Sequence, residues 1–200
     1  LRDQALSIAG LWSGKMYGVS VRPPRPVLGL RSAFGGSTDW ETSSGEDRFR
    51  RGIYTRWRRT TPYPSMTTFD APSREVCTIR RVRTNTPLQA LVTLNDPVFI
   101  EAAQGLARRM VADTELSLED RIAYGFRVCV ARPPSDLEVA RLADLFRQVR
   151  TDYAQHPDEA AEIAMEPLGP IPAEIGPPDL AAWTVLANVL LNLDELLAKK

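Results

Sequence analysis

Helix-start signals recur along the second half of this sequence, and they limit the possible folds more than any other feature. Thr86 precedes Pro87 and stands three positions before Gln89. This is a capping-box pattern with proline at the first helical position, so a helix is predicted from here to about Leu94. Three further starts follow, at Asp96 with Pro97, at Ser117 with Asp120 and at Ser135 with Glu138.

The last apolar stripe lies close to the C-terminus, where large apolar side chains recur at steps of three and four. Its members are Trp183, Leu186, Leu190, Leu193 and Leu197. That spacing is typical of one buried helical face. Together, these signals predict a helical bundle over 86–165, a proline-rich linker over 166–178 and a C-terminal helix over 179–200.

The first half of the chain carries weaker and more irregular signals. Residues 1–12 fit a helix, whereas glycines and prolines interrupt 13–47 and three prolines predict a loop over 61–73. The stretch 48–60 fits a short strand or one helical face equally well. We therefore expect an all-α fold whose first part, 1–85, is a long irregular arm rich in arginine and proline, with room for one or two short strands.

The domain organisation follows from length and from the first residues. A chain of 200 residues suits one domain. Leu1 already lies inside an apolar helical pattern that has no capping residue before it. We therefore expect a single domain over 1–200, and we expect it to be the C-terminal piece of a longer polypeptide.

Charge is balanced overall but unevenly distributed. The net charge is zero, yet residues 1–100 carry +7 and residues 101–200 carry −7. Arginine outnumbers lysine 22 to 3. This bias fits a genome that favours arginine codons, and it also fits selection for bidentate contacts to anions.

Ten arginines lie between Arg48 and Arg83, against only Asp70 and Glu75. They are interpreted in three ways: as an internal clamp that pairs with the acidic second half, as a site for an anionic polysaccharide, or as a nucleic-acid surface. Zero net charge and the lack of a nucleic-acid-binding motif disfavour the third. The candidate anion- or ligand-binding residues are Asp70, Arg74, Glu75, Arg80, Arg81, Arg83, Arg58 and Trp57.

Asp70 and Glu75 allow two interpretations. Two carboxylates beside arginines can form a general acid–base couple in a charged pocket. An aspartate before Pro-Ser can equally cap a turn, and the pattern favours that structural role.

Several chemistries are disfavoured by what the sequence lacks. His156 is the one histidine, too few for a multi-histidine metal site, and the familiar hydrolase, kinase and dehydrogenase motifs are missing. No catalytic residue is assigned, and no metal, cofactor or membrane span is expected in this chain. Cys77 and Cys129 fit either buried thiols or one disulfide.

One long run of residues carries a family resemblance. DAPSREVCTIRRVRTNTPLQALVTLNDPVFIEAA (Asp70–Ala103) closely resembles the signature of a planctomycete-specific C-terminal domain of unknown function. Four other segments are similar to the same family: LRDQALSIAGL, RRGIYTRWRRT, RIAYGFRVCVARPPSDLE and AAWTVLANVLLNLDE.

The resemblance implies a location and a neighbouring domain, but no activity. Members of that family end large secreted proteins that also carry a cytochrome c domain. It therefore implies an extracytoplasmic location, haem c elsewhere in the full polypeptide, and that cytochrome domain as a partner. A structural or interaction module is the expected function. The alternative is part of a carbohydrate-active or redox site that binds an anionic glycan.

Overall fold

The computed structural model describes residues 1–26, 40–58, 61–80, 84–172 and 174–197. Within these ranges the secondary structure is almost entirely helical, which confirms the predicted all-α class. The helices are α1 (Arg2–Ile8), α2 (Pro64–Thr68), α3 (Pro87–Asn95), α4 (Pro97–Val111), α5 (Leu118–Val130), α6 (Asp136–Gln155), α7 (Pro157–Met165), α8 (Pro177–Leu191) and α9 (Asp194–Leu197). Two short 3-10 turns, Gly45–Phe49 and Gly52–Tyr54, precede α2.

Hydrogen bonds form at the predicted helix caps. The Thr86 hydroxyl accepts a hydrogen bond from the Gln89 amide, and the Gln89 side chain accepts one from the Thr86 amide. Ser135 and Glu138 form the same reciprocal box at the start of α6, and Ser117 caps α5. Each cap satisfies amides that the helix itself leaves without an acceptor, so these local signals fix where the helices begin.

The chain groups into two compact units. The first contains Leu1–Leu11 and Phe99–Lys200, and the second is Trp12–Val98. The boundary falls inside α4. The predicted single domain over 1–200 and its subdivisions stay predictions.

The first unit is built around α8. Most of its residues are buried on all sides, and it packs against α5, α6 and α7. A helix that is apolar all round belongs in the centre of a bundle, which is where α8 lies. On α4, Gly105 lets the end of α1 approach closely, because a Cβ there would lie 3.0 Å from the Ala9 carbonyl oxygen.

The second unit has little regular structure and is held by side chains. The Tyr63 hydroxyl donates to the Pro24 carbonyl, and the Trp40 indole donates to the Pro23 carbonyl at 2.6 Å. The two rings stack with centroids 5.7 Å apart. Pro23 and Pro24, which have no backbone N–H, are thus held through their carbonyls by aromatic side chains from later in the chain.

Three local predictions were wrong. Pro64 starts α2 inside the predicted loop 61–73, because proline at the first helical position costs no hydrogen bond. The first helix ends at Ile8, since Gly10 takes the left-handed conformation with φ +73°. As a result Trp12, at the end of the predicted helix 1–12, is outside α1 and 42% exposed.

The C-terminal region also differs from its prediction. α8 begins at Pro177, inside the predicted linker, and ends at Leu191. Asn192 leaves the helical conformation there, and a separate short helix, α9, follows. Of the stretch 48–60, the described residues 48–58 form neither a strand nor an α-helix. They contain the end of the first 3-10 turn, the second 3-10 turn and one side of two isolated parallel bridges, Ser13 to Arg50 and Val21 to Thr55.

Candidate interaction surface

Asp70 binds Thr84, 14 positions later in the chain, and we call this contact the neck of the loop between them. Its carboxylate accepts hydrogen bonds from the Thr84 amide and the Thr84 hydroxyl, both at 2.8 Å. The Gln89 side chain adds bonds to the Thr84 hydroxyl and to the Thr68 carbonyl, both at 2.9 Å. Asp70 itself has φ +58°, so its backbone makes a sharp turn as α2 ends. These bonds give Asp70 a structural role toward Thr84, 14 positions later in the chain, while the predicted turn cap and the acid–base couple with Glu75 both stay predictions.

The other candidate residues divide into three groups. Arg74 places its guanidinium 5.3 Å from the centre of the Trp57 ring, within the range of a cation–π contact. Arg58 is half-buried, while Glu75 and Arg80 are exposed on the loop beyond the neck. Arg81 and Arg83 lie outside the described residues. The structure therefore joins Arg74 to Trp57 and Asp70 to Thr84.

The loop beyond the neck also exposes apolar side chains. Val76 and Ile79 are largely or fully open to solvent, and Cys77 between them is exposed. On α3, the outward face carries Leu88 and Leu91. Exposed apolar side chains that are grouped, rather than scattered, are typical of interaction surfaces.

Arg50 is the arginine whose role the sequence did not reveal. Its side chain is 2% exposed. The guanidinium donates hydrogen bonds to the Tyr17 carbonyl and, at 3.2 Å, to the Val19 carbonyl. It lies 4.0 Å from the centre of the Tyr54 ring and 3.8 Å from the Asp47 carboxylate. A planar donor fork can bind two carbonyls at once, which an ammonium group does less well.

These contacts hold the arm in an unusual conformation. Tyr17 has φ +63°, a region that non-glycine residues seldom occupy, and its amide donates to the Tyr54 hydroxyl at 2.8 Å. Four large apolar side chains on the two joined segments then face solvent: Met16 (51% exposed), Tyr17 (82%), Val19 (79%) and Ile53 (74%). We call these four residues the arm patch.

Acidic residues of the first 3-10 turn secure the start of the arm. The Ser13 hydroxyl donates to Glu46 at 2.6 Å, and the Lys15 ammonium lies 3.4 Å from Asp47. Two sets of contacts therefore hold this stretch. Glu46 and Asp47 contact the residues before the arm patch, and Arg50 binds the backbone of the patch itself. Nothing in the periodicity of this glycine-rich stretch would have located the patch from sequence.

The two cysteines are free thiols in different surroundings. Cys77 is exposed and Cys129 is buried in α5. Burial raises the pKa of the Cys129 thiol to about 12, which keeps it protonated and unreactive. Cys129 therefore matches the predicted buried thiol, whereas Cys77 does not.

Neither a metal-ligand cluster nor a membrane-spanning helix is found among the described residues. No group of three or more histidine, cysteine, aspartate or glutamate side chains there could hold a metal ion. No helix in the described part of the chain is long and apolar enough to cross a membrane. His156 is exposed at the junction of α6 and α7, with its Nδ1 2.9 Å from the Asp152 carbonyl oxygen.

Comparison with known proteins identifies a family. No curated protein and no solved structure matches the chain significantly. A family model described as a protein of unknown function (DUF1553), PSD1, matches residues 1–146. The match covers well over half of the sequence, and the chain belongs to this family.

Proposed function

We propose that this chain is a non-catalytic interaction module that docks onto another domain of the same exported polypeptide through the arm patch. The observation that carries the proposal is the exposure of Met16, Tyr17, Val19 and Ile53 on segments that Arg50 joins through hydrogen bonds to the Tyr17 and Val19 carbonyls. Tyrosine and methionine are enriched in the centres of protein interfaces. A patch fixed before binding also loses less conformational entropy on docking.

The net charge around the arm patch indicates which charge to expect on the partner surface. The first hundred residues, which contain the arm patch, have a net charge of +7. Arg51, exposed beside the patch, contacts the Met16 sulfur at 3.8 Å. An apolar surface with an acidic rim is the complement of such a patch, because rim charges steer association and select partners.

The cytochrome c domain expected from the family resemblance is the partner we propose. On this proposal the protein works outside the cytoplasm, and haem c resides in the partner domain. The chain itself then contributes docking rather than chemistry, in keeping with the absence of familiar catalytic motifs from its sequence.

The test is a binding measurement with that cytochrome domain, produced as a separate protein. We expect the double variant Tyr17→Ser with Ile53→Ser to weaken binding at least tenfold, since interface hot spots are worth about 2 kcal/mol or more. Leu137→Ser is the matched control, because Leu137 is also exposed (61%) but lies on α6. Equal binding by the double variant and the control would show that the arm patch is not the docking surface.

A second candidate function rests on the exposed arginines. Arg80 is exposed beyond the Asp70 neck, and Arg74 contacts Trp57, as in sites that bind an anionic polysaccharide. A glycan array with sulfated and uronic-acid sugars tests it. Binding that is lost in Arg74→Ala with Arg80→Ala supports this function, and no binding at millimolar concentrations removes it.

A further inference from the structure

A cavity of about 400 Å³ lies in the first unit, between α5, α6 and the start of α8. Its volume falls near the lower end of the range of about 300–1,000 Å³ that small-molecule sites occupy. None of the arm patch residues lines it. The lining residues are Leu118, Arg121, Phe146, Arg150, Glu174, Ile175, Gly176, Asp179 and Trp183.

One wall of the cavity is apolar and firmly packed. The rings of Phe146 and Trp183 lie with centroids 4.5 Å apart, and both side chains are almost fully buried. Leu118 and Ile175, each half-buried, extend this wall toward the opening. The wall is therefore preformed and offers contact to an apolar face of a ligand.

The rest of the lining carries balanced charge. Arg150 pairs with Asp179 across a distance of 2.6 Å between Nε and Oδ1. Arg121 uses one terminal nitrogen to donate to the carbonyls of Asp113 and Thr114, at 3.0 and 3.2 Å. Glu174 is exposed at the rim and has no hydrogen-bond or ion-pair partner within the described ranges. The lining thus holds two guanidinium groups and two carboxylates.

We infer that this cavity binds a neutral, polyhydroxylated ring compound of monosaccharide size. A net anion placed there meets Glu174 and Asp179, and a net cation meets Arg121 and Arg150. A neutral ring with hydroxyl groups avoids both repulsions. Its hydroxyls both donate to carboxylates and accept from guanidinium groups, while its C–H face lies on the apolar wall.

The inference is independent of the proposed docking function. The cavity residues belong to the first unit and the arm patch belongs to the second. Failure of one leaves the other unaffected, and the two are measured with different ligands and different variants.

Saturation-transfer NMR on the whole chain provides the first test. The probes are D-glucose, D-galactose and D-xylose, with D-glucuronate and D-glucosamine as charged counterparts. We expect at least one neutral sugar to bind at millimolar concentrations and the charged sugars to bind more weakly. Binding by none of the neutral sugars, or by the charged sugars alone, overturns the inference.

Two variants locate the binding. Glu174→Gln keeps the shape but removes a charged acceptor, so we expect about tenfold weaker binding. Gly176→Leu adds a side chain at the mouth, where a new Cβ makes only ordinary contacts, 3.7 Å from the Asp179 carboxylate, and we expect binding to be lost. Glu162→Gln, at an exposed position of α7, is the matched control for the glutamate variant.

Circular dichroism shows whether each variant folds before it is titrated. Weakened binding in either folded variant, with the control unaffected, places the sugar in this cavity. If both bind the sugar as tightly as the unaltered protein, the sugar lies elsewhere and the inference fails.

Discussion

The guanidinium of Arg50 lies 4.0 Å from the centre of the Tyr54 ring while it donates to the carbonyl of Tyr17, 33 residues earlier in the chain. This contact joins the glycine-rich stretch around Tyr17 to the arginine-rich segment that begins at Arg48. The arginines were interpreted as a clamp between the two halves of the chain. The contacts of Arg50 given above all lie inside the second unit, and pairing between the halves stays a prediction.

Replacing Arg50 with lysine is expected to destabilise the protein by about 2–4 kcal/mol, because one ammonium cannot reproduce the bonds to both carbonyls and two charge-assisted hydrogen bonds are weakened. The measurement is urea unfolding followed by circular dichroism. Arg51→Lys, at the exposed neighbouring position, should change the free energy of unfolding by less than about 0.5 kcal/mol. An equal effect of both substitutions would show that the buried contacts of Arg50 do not stabilise the fold.

Asp70→Asn tests the neck of the loop. Both bonds from Thr84 end on Oδ2, and an amide oxygen in its place still accepts but carries no charge, so the two bonds weaken. We expect a loss of about 1–2 kcal/mol and faster hydrogen exchange at the Thr84 amide. Glu75→Gln, on the exposed part of the loop, should leave that exchange rate unchanged. Slow exchange at Thr84 in Asp70→Asn would show that the carboxylate does not close the loop.

The pKa of Glu138 makes the stability of the folded protein depend on pH in the acidic range. Arg132 donates to both of its carboxylate oxygens, and this contact, with those from Ser135, lowers the pKa of Glu138 from 4.5 to about 2. A carboxylate whose pKa is lowered by folding stabilises the native state above its unfolded pKa. That contribution is lost as pH falls through its folded pKa.

The stabilising effect of Glu138 should therefore be fully present above about pH 4.5 and should disappear toward pH 2. Thermal unfolding of the unaltered protein and of Glu138→Gln across this range gives the measurement. Glutamine keeps an acceptor for the Ser135 amide, so the difference in Tm reports mainly on the Arg132 pair. A difference that does not shrink as pH falls would refute this assignment.

The cysteines should react at very different rates in the native protein. Because Cys77 is exposed, iodoacetamide should label it readily. Cys129 should resist labelling until the chain unfolds, since burial raises its pKa to about 12. Mass spectrometry of the labelled protein, with and without denaturant, distinguishes the two. Protection of both cysteines that is relieved only by a reductant would reveal a disulfide.

The sequence predicted the capped helix starts well, but it missed the helix ends at Ile8 and Leu191. Caps such as Thr86 with Gln89 and Ser135 with Glu138 involve residues three positions apart, so the sequence contains the whole interaction. The break at Asn192 has no such local signature, and the apolar spacing continues through it to Leu197. The bonds between Asp70 and Thr84 could not be predicted either, because 14 positions separate the two residues.

The sequence by itself determined the all-α class, the positions of the main helix starts and the family of this chain. Those features depend on short-range hydrogen bonding, on proline geometry and on a contiguous motif. Only the tertiary structure decided that Arg50 is buried, that Tyr17 is held outward above it, and that a cavity lies between α5, α6 and α8. These relationships include residues as far apart as Tyr17 and Arg50 or Phe146 and Trp183. The ten similar arginines also offer no local signal to show which one finds two carbonyls to bind.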